Sequence, residues 1–235
     1  MLSVMITSAA PPTLRSLHVL AEHVLGAGLY AATGHIGLQV VPGGFATPTG
    51  ATADLGGRYS VANGVLVIDR ADGERTQASV TTVAAAAAFF GVTPGMPASV
   101  YTPSNELVLD AVLSIDPAEA ERIGDWLVLG DAALEAFGAD HADEQPTART
   151  LWPEHFDLGF SMAEVNYGVS PGDAEHAEPY LYVGPWTPRP GPFWTESFGA
   201  SVPASEVGSV ADAVAFFEQG RTLAASPADD RSDAE

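Results

Sequence analysis

The stretch LWPEHFDLGFSM, residues 151–162, places His155 and Asp157 two positions apart among large apolar residues. In that arrangement His155 can serve as a general base while Asp157 orients its ring, which is chemistry for a hydrolase or an isomerase. Further along, Asp173, Glu175, His176 and Glu178 cluster in a polar segment, so a site of two histidines and several carboxylates around a metal ion is an alternative. Reach argues against it. Read as one straight strand, 155–166 extends roughly 36 Å at ~3.3 Å per residue, whereas metal ligands converge to within ~2.6 Å of the ion. The expectation is no metal and no cofactor.

The aromatic residues give a second candidate. Tyr167, Tyr180, Tyr182, Trp186, Phe193, Trp194 and Phe198 follow one another closely, interleaved with Gly and Pro. Tyr and Trp suit an apolar pocket with a wet mouth, because each carries a polar tip on an apolar body. The leading expectation is a small-molecule pocket lined by Asn166, Tyr167, Tyr180, Tyr182, Trp186 and Trp194, lying nearer these residues than His155 and Asp157. A third reading is an interaction or scaffold module in which the aromatic patch meets another chain, a homodimer being the simplest case.

The absent residue types narrow the chemistry. The chain has no Cys, and its nine basic residues are all Arg. Schiff-base chemistry, thiol nucleophiles, Cys-ligated zinc and a phosphate loop ending in Gly-Lys are excluded. Thirty acidic residues give a formal net charge of −21. Such a surface repels phosphate backbones and anionic lipids, so neither nucleic acid nor membrane is an expected partner. The start, MLSVMITSAAPPT, lacks the basic and long apolar segments of a signal peptide, and the expected location is the cytoplasm.

These candidates need elements to hold them. Apolar residues at three-and-four spacing predict a helix over 13–31, with His18 on its buried stripe and His23 on the opposite, wetter face. Short β-rich runs fill 35–80, and Asn63-Gly64 and Asp72-Gly73 mark hairpin corners. A short alanine-rich helix over 82–90 ends at Gly91. The apolar run LVLDAVLSI, 107–115, reads as a strand or a loop plus strand, and Asp116-Pro117 starts a helix to about 137, weakened at Gly124 and Gly130. After a loop at 141–148, strands are expected over 149–167, 179–186 and 192–199, then a helix over 207–223. Within the first strand, Phe156 and Leu158 should face the core while His155 and Asp157 face away.

The fold class is therefore α+β, antiparallel sheets covered by helices, in two similar helix–strands–helix halves. The halves span 1–140 and 149–225, followed by an acidic tail, 226–235, expected to be disordered. Two short matches suggest internal duplication: GHIGL (34–38) with EHFDL (154–158), and SVTTVAAAAAFF (79–90) with SVADAVAFF (209–217).

The blocks LWPEHFDLGF, NYGVSPGD, EPYLYVGPW and FWTESFGA resemble bacterial conserved proteins of unknown function from GC-rich genomes. They are more faintly similar to a larger family carrying FW-x-x-FDLA, from which this chain departs by lacking an early pair of tryptophans. The resemblance covers about 149–200 and implies a site within that block, with no activity attached.

Overall fold

The computed structural model describes residues 11–226. The acidic tail beyond 226 and the first ten residues lie outside that range, so the expectation of a disordered tail is not addressed. The first helix begins at Pro12, whose fixed φ suits a first helical turn, and runs as α1 Pro12–Leu20, a π-helical turn Ala21–Gly26 and α2 Ala27–Thr33. Gly34 ends it in the left-handed conformation, φ 76°, donating its N–H to Tyr30 O.

Five strands follow: β1 Gln39–Val41, β2 Gly44–Ala46, β3 Arg58–Ala62, β4 Val65–Asp69 and β5 Arg75–Ser79. They form an antiparallel meander in sequence order. A short helix, α3 Thr52–Leu55, bridges β2 and β3. Both expected corners are present: Asn63 and Gly64 adopt positive φ between β3 and β4, and Gly73 does so between β4 and β5. Helix α4 Val83–Phe90 follows, with Thr82 capping it by accepting Ala85 N–H.

The second half repeats the order. Helix α5 Pro117–Asp140 is capped by Asp116, which accepts Glu119 N–H at 2.9 Å. Then come β6 Thr150–Trp152, β7 Asp157–Met162, β8 Val165–Ser170, β9 Tyr180–Pro185 and β10 Ala200–Pro203, again an antiparallel meander. Helix α6 Val210–Ala225 closes it, capped by Ser209. In the match between α4 and α6, Thr82 and Ser209 are both N-caps and Phe89-Phe90 aligns with Phe216-Phe217. GHIGL and EHFDL do not correspond, because GHIGL leads into β1 while EHFDL rounds the β6–β7 turn. Among the described residues no helix is long and apolar enough to cross a membrane.

Four sequence expectations are corrected. Segment 149–167 is three strands, because Ala163 (φ 49°) and Glu164 (φ 62°) make a tight hairpin turn without Gly or Asn. The last strand is 200–203, not 192–199. Residues 107–112 form no strand, and Val112 is 81% exposed. His23 is buried, because the 92–115 loop covers that side of the helix: Met96 N–H donates to Nδ1, and Nε2–H donates to Asn105 O at 2.7 Å.

The two sheets meet where Leu38 pairs with Leu151, each donating its N–H to the other's carbonyl at 2.9 and 3.0 Å. Helix α5 lies across this joint and packs on β1, β2, β7 and β8. Its two glycines permit the approach. A Cβ on Gly124 would sit 2.8 Å from the Gly43 backbone in the β1–β2 turn, and one on Gly130 would sit 2.3 Å from the buried Val169 side chain. The first helix makes the reciprocal contact, with Gly26 against Pro153 in the β6–β7 turn. One apolar core runs through both halves and includes Leu20, Phe45, Leu127, Phe137, Leu151 and Phe217.

Gly130→Ala should therefore lose roughly 1–3 kcal/mol to overpacking, despite the ~1 kcal/mol that alanine gains in helix propensity. Gly138→Ala, whose Cβ would meet nothing closer than 3.5 Å, is the control and should be neutral or stabilising. Urea unfolding checks both, and equal stability changes in the two variants would contradict the close-approach explanation.

Candidate functional site

Strand alternation divides the second sheet into a core face and a polar face. Leu158, Phe160, Tyr167, Val169, Leu181 and Val183 are buried and belong to the core. Asp157, Gly159, Asn166, Gly168, Tyr180 and Tyr182 occupy the other face. The pairing register sets Gly159 opposite Gly168 and Gly168 opposite Tyr182. That row of two glycines decides where the tyrosine goes. A Cβ on Gly168 would fall 2.2 Å from Tyr182 Cζ, and one on Gly159 would fall 2.8 Å from its hydroxyl. The ring therefore lies across both glycines, and its hydroxyl donates to Asp157 Oδ2 at 2.5 Å.

The β6–β7 turn delivers Asp157 to this position. Phe156 donates its N–H to Trp152 O at 2.8 Å and adopts φ 54°, a left-handed conformation unusual for a bulky side chain. Its ring is buried, stacked on His18 at 5.5 Å and edge-on to Phe45 at 5.3 Å. His18 bonds through Nε2 to Pro153 O at 2.9 Å, so α1 from the first half holds the turn of the second. Burial moves the His18 pKa below its ordinary value, against the pull of Glu22 and of the turn carbonyls.

Three carboxyl groups in this region are partnered very differently. Glu22 accepts Ser104 N–H, Asn105 N–H and the Asn105 side-chain amide, which pins the 104–106 loop beside the cavity. Asp173 accepts the N–H groups of Glu175 and His176 and the Tyr180 hydroxyl. Burial opposes its ionisation, but these donors outweigh burial and hold its pKa below the usual value. Asp157 has Tyr182 alone as a side-chain donor, and its Oδ1 is buried without a hydrogen-bond partner. Burial drives its pKa upward, and the Tyr182 hydrogen bond only partly offsets that. Tyr182 itself is held well above its usual pKa by burial and then by Asp157, so it stays a donor.

Above this floor lies a cavity of about 920 Å³. Leu14, Arg15 and His18 of α1 and Ser104, Asn105 and Glu106 of the loop wall one side. Tyr180, Tyr182, Trp186 and Phe198 form the aromatic wall. Asn166 Oδ1 accepts from Ser161 Oγ at 2.7 Å and from Trp186 Nε1 at 3.0 Å, which fixes the indole at the rim.

The structure brings His155, Asp157, Asn166, Tyr180, Tyr182 and Trp186 to this one cavity. The histidine–aspartate pair and the aromatic cluster are thus not separate locations: the Ala163-Glu164 turn folds β8 back on β7 and shortens the distance. His155 is not Asp157's partner. Its side chain is 71% exposed and lies 3.5 Å from Glu154. Two residues lie elsewhere. Tyr167 faces the core and lines a second cavity of about 170 Å³, and Trp194 packs on Phe193 at 4.9 Å. His18, Asn105, Asp173 and Phe198 join the wall; no local sequence signal marks the first two, while the last two sit in segments already noted as loop and aromatic cluster. Among the described residues no group of three or more His, Asp or Glu side chains is placed to hold a metal ion. Comparisons with protein-family models, curated proteins and solved structures give no match.

A carboxyl group whose folded-state pKa is raised contributes most to stability below its unfolded-state pKa of about 4, and loses that contribution as pH rises through the folded value. Asp157→Asn keeps an acceptor for Tyr182 and removes the buried charge. The variant should melt higher than wild type near pH 7.5, by roughly 0.5–2 kcal/mol equivalent as is common for relieved site groups, with the difference vanishing near pH 4. Melting curves across that range check this, and a variant that melts lower at every pH would contradict it.

Proposed function

We propose that the chain binds a small organic molecule in the cavity between α1 and the polar face of β7–β9. One observation carries the reading: Asp157, lining a cavity of about 920 Å³, accepts one hydrogen bond from another residue and leaves Oδ1 buried without a partner, whereas Glu22 and Asp173 close by accept three each. Buried carboxylates that serve structure are saturated with donors, because an unpaired one carries a desolvation penalty. The volume falls in the range of small-molecule sites, and aromatic side chains with a few polar groups are their usual lining. The reading places the protein in the cytoplasm, with neither nucleic acid nor membrane as partner, given its net charge of −21.

A second reading, an enzyme, is favoured by the upward pKa of Asp157, since a carboxyl moved toward neutrality suits general acid–base work. In that case Asp157 with Tyr182 carries the proton, and His155 stands at the cavity wall.

Native mass spectrometry of the freshly purified chain tests the binding reading. A retained adduct of a few hundred daltons is expected, lost in Asn166→Trp, which fills the cavity from an exposed position. An adduct kept by that variant, or an unliganded mass with no melting response to a small-molecule library, would contradict the assignment.

A further inference from the structure

We infer that the ligand is an organic ammonium ion, a protonated amine on an apolar or aromatic group, bound with its charge toward Asp157. This rests on the cavity being a ligand site. Three features of the wall select a cation. Its formally charged side chains are Glu106, Asp157 and Asp173 against Arg15 alone. Asp173 already accepts three hydrogen bonds and Glu106 is exposed to water, so the unpartnered carboxylate oxygen that water does not reach belongs to Asp157. A carboxylate offers about four acceptor sites, and Asp157 fills one with a side-chain hydroxyl. The residue standing across the turn, His18, is stacked on Phe156, and burial lowers its pKa and so disfavours a competing positive charge.

The aromatic wall points the same way. Tyr180, Tyr182 and Phe198 are mutual neighbours with ring centroids 6.3–6.4 Å apart, and Trp186 continues the wall at the rim. Aromatic faces attract ammonium groups most strongly where water is excluded, and here they stand beside a buried carboxyl. An anionic ligand would meet that carboxyl with only the exposed Arg15 to offset it. A bare metal ion is disfavoured on two grounds: no set of three ligating side chains is assembled among the described residues, and the cavity is far larger than an ion. The net charge of −21 concentrates diffusing cations near the surface and adds to capture without setting specificity.

Three probes of one size and different charge test the inference: phenethylamine, phenethyl alcohol and phenylacetate, each titrated calorimetrically into the wild-type chain near pH 7.5. The amine should bind at least about tenfold more tightly than the alcohol, the order expected for a charge-assisted contact over a neutral one, and phenylacetate should bind weakest. Asp157→Asn, confirmed as folded by its melting curve, should bring the amine down to the alcohol's affinity. An amine that does not exceed the alcohol, whether because both bind alike or because none of the three binds, overturns the ammonium assignment. The two readings then part: a retained adduct that Asn166→Trp abolishes leaves the cavity as a site of different chemistry, and the absence of that adduct removes the site as well.

Discussion

Two hydrogen bonds between Leu38 and Leu151 join the edges of the two meanders beneath α5. Leu151 lies in the edge strand β6 and Leu38 immediately precedes the edge strand β1, and unpaired edges there would present open N–H and C=O groups. Pairing the two edges buries both leucines and brings the first hairpin of each half under the first helix of the other. Gly26 of the first helix lies on Pro153, and Gly124 of α5 lies on Gly43. The halves are similar in order and reciprocal in contact. The roof of the cavity comes from the first half for that reason, while its floor comes from the second.

The cavity combines a backbone cost at Phe156 with an under-partnered carboxyl at Asp157. Phe156 occupies a left-handed conformation, held by its backbone bond to Trp152 and by its ring between His18 and Phe45. The immediate product of that turn is a half-buried Asp157 at the cavity wall, its Oδ1 shut off from solvent. Glycine at 159 and 168 removes the side chains that would otherwise fill the floor, so Tyr182 can lie down across the sheet and reach the carboxyl. Around it, Glu22 and Asp173 hold the walls with three hydrogen bonds each and Asn166 with two. A left-handed bulky residue next to an under-partnered carboxyl is the kind of local cost found at functional sites.

Local signals in the sequence carried the elements that depend on them. Asp116-Pro117, Thr82 and Gly91 mark helix ends through capping chemistry, and Asn63-Gly64 marks a hairpin through the conformations those residues accept. The Ala163-Glu164 turn has no such signal, because both residues are forced into positive φ by the pairing of β7 with β8 rather than by preference. His23 was legible as the wet side of a helix only because its cover, the 92–115 loop, binds it from more than seventy residues away. The site followed the same rule. Asp157 and Tyr182 each stand out by type, but their meeting depends on a cross-strand row through Gly159 and Gly168 that no short window contains.

The central claim is that the polar face of β7–β9, centred on Asp157, receives a ligand, and an amide-correlation NMR titration with phenethylamine tests it most directly. The account predicts saturable shifts at Asp157, Gly168, Tyr182 and His18, with little change at Tyr167 or along the core face of the same strands. Shifts confined to the smaller cavity beside Arg221 and Tyr167, or spread evenly over the acidic surface without saturating, would contradict it.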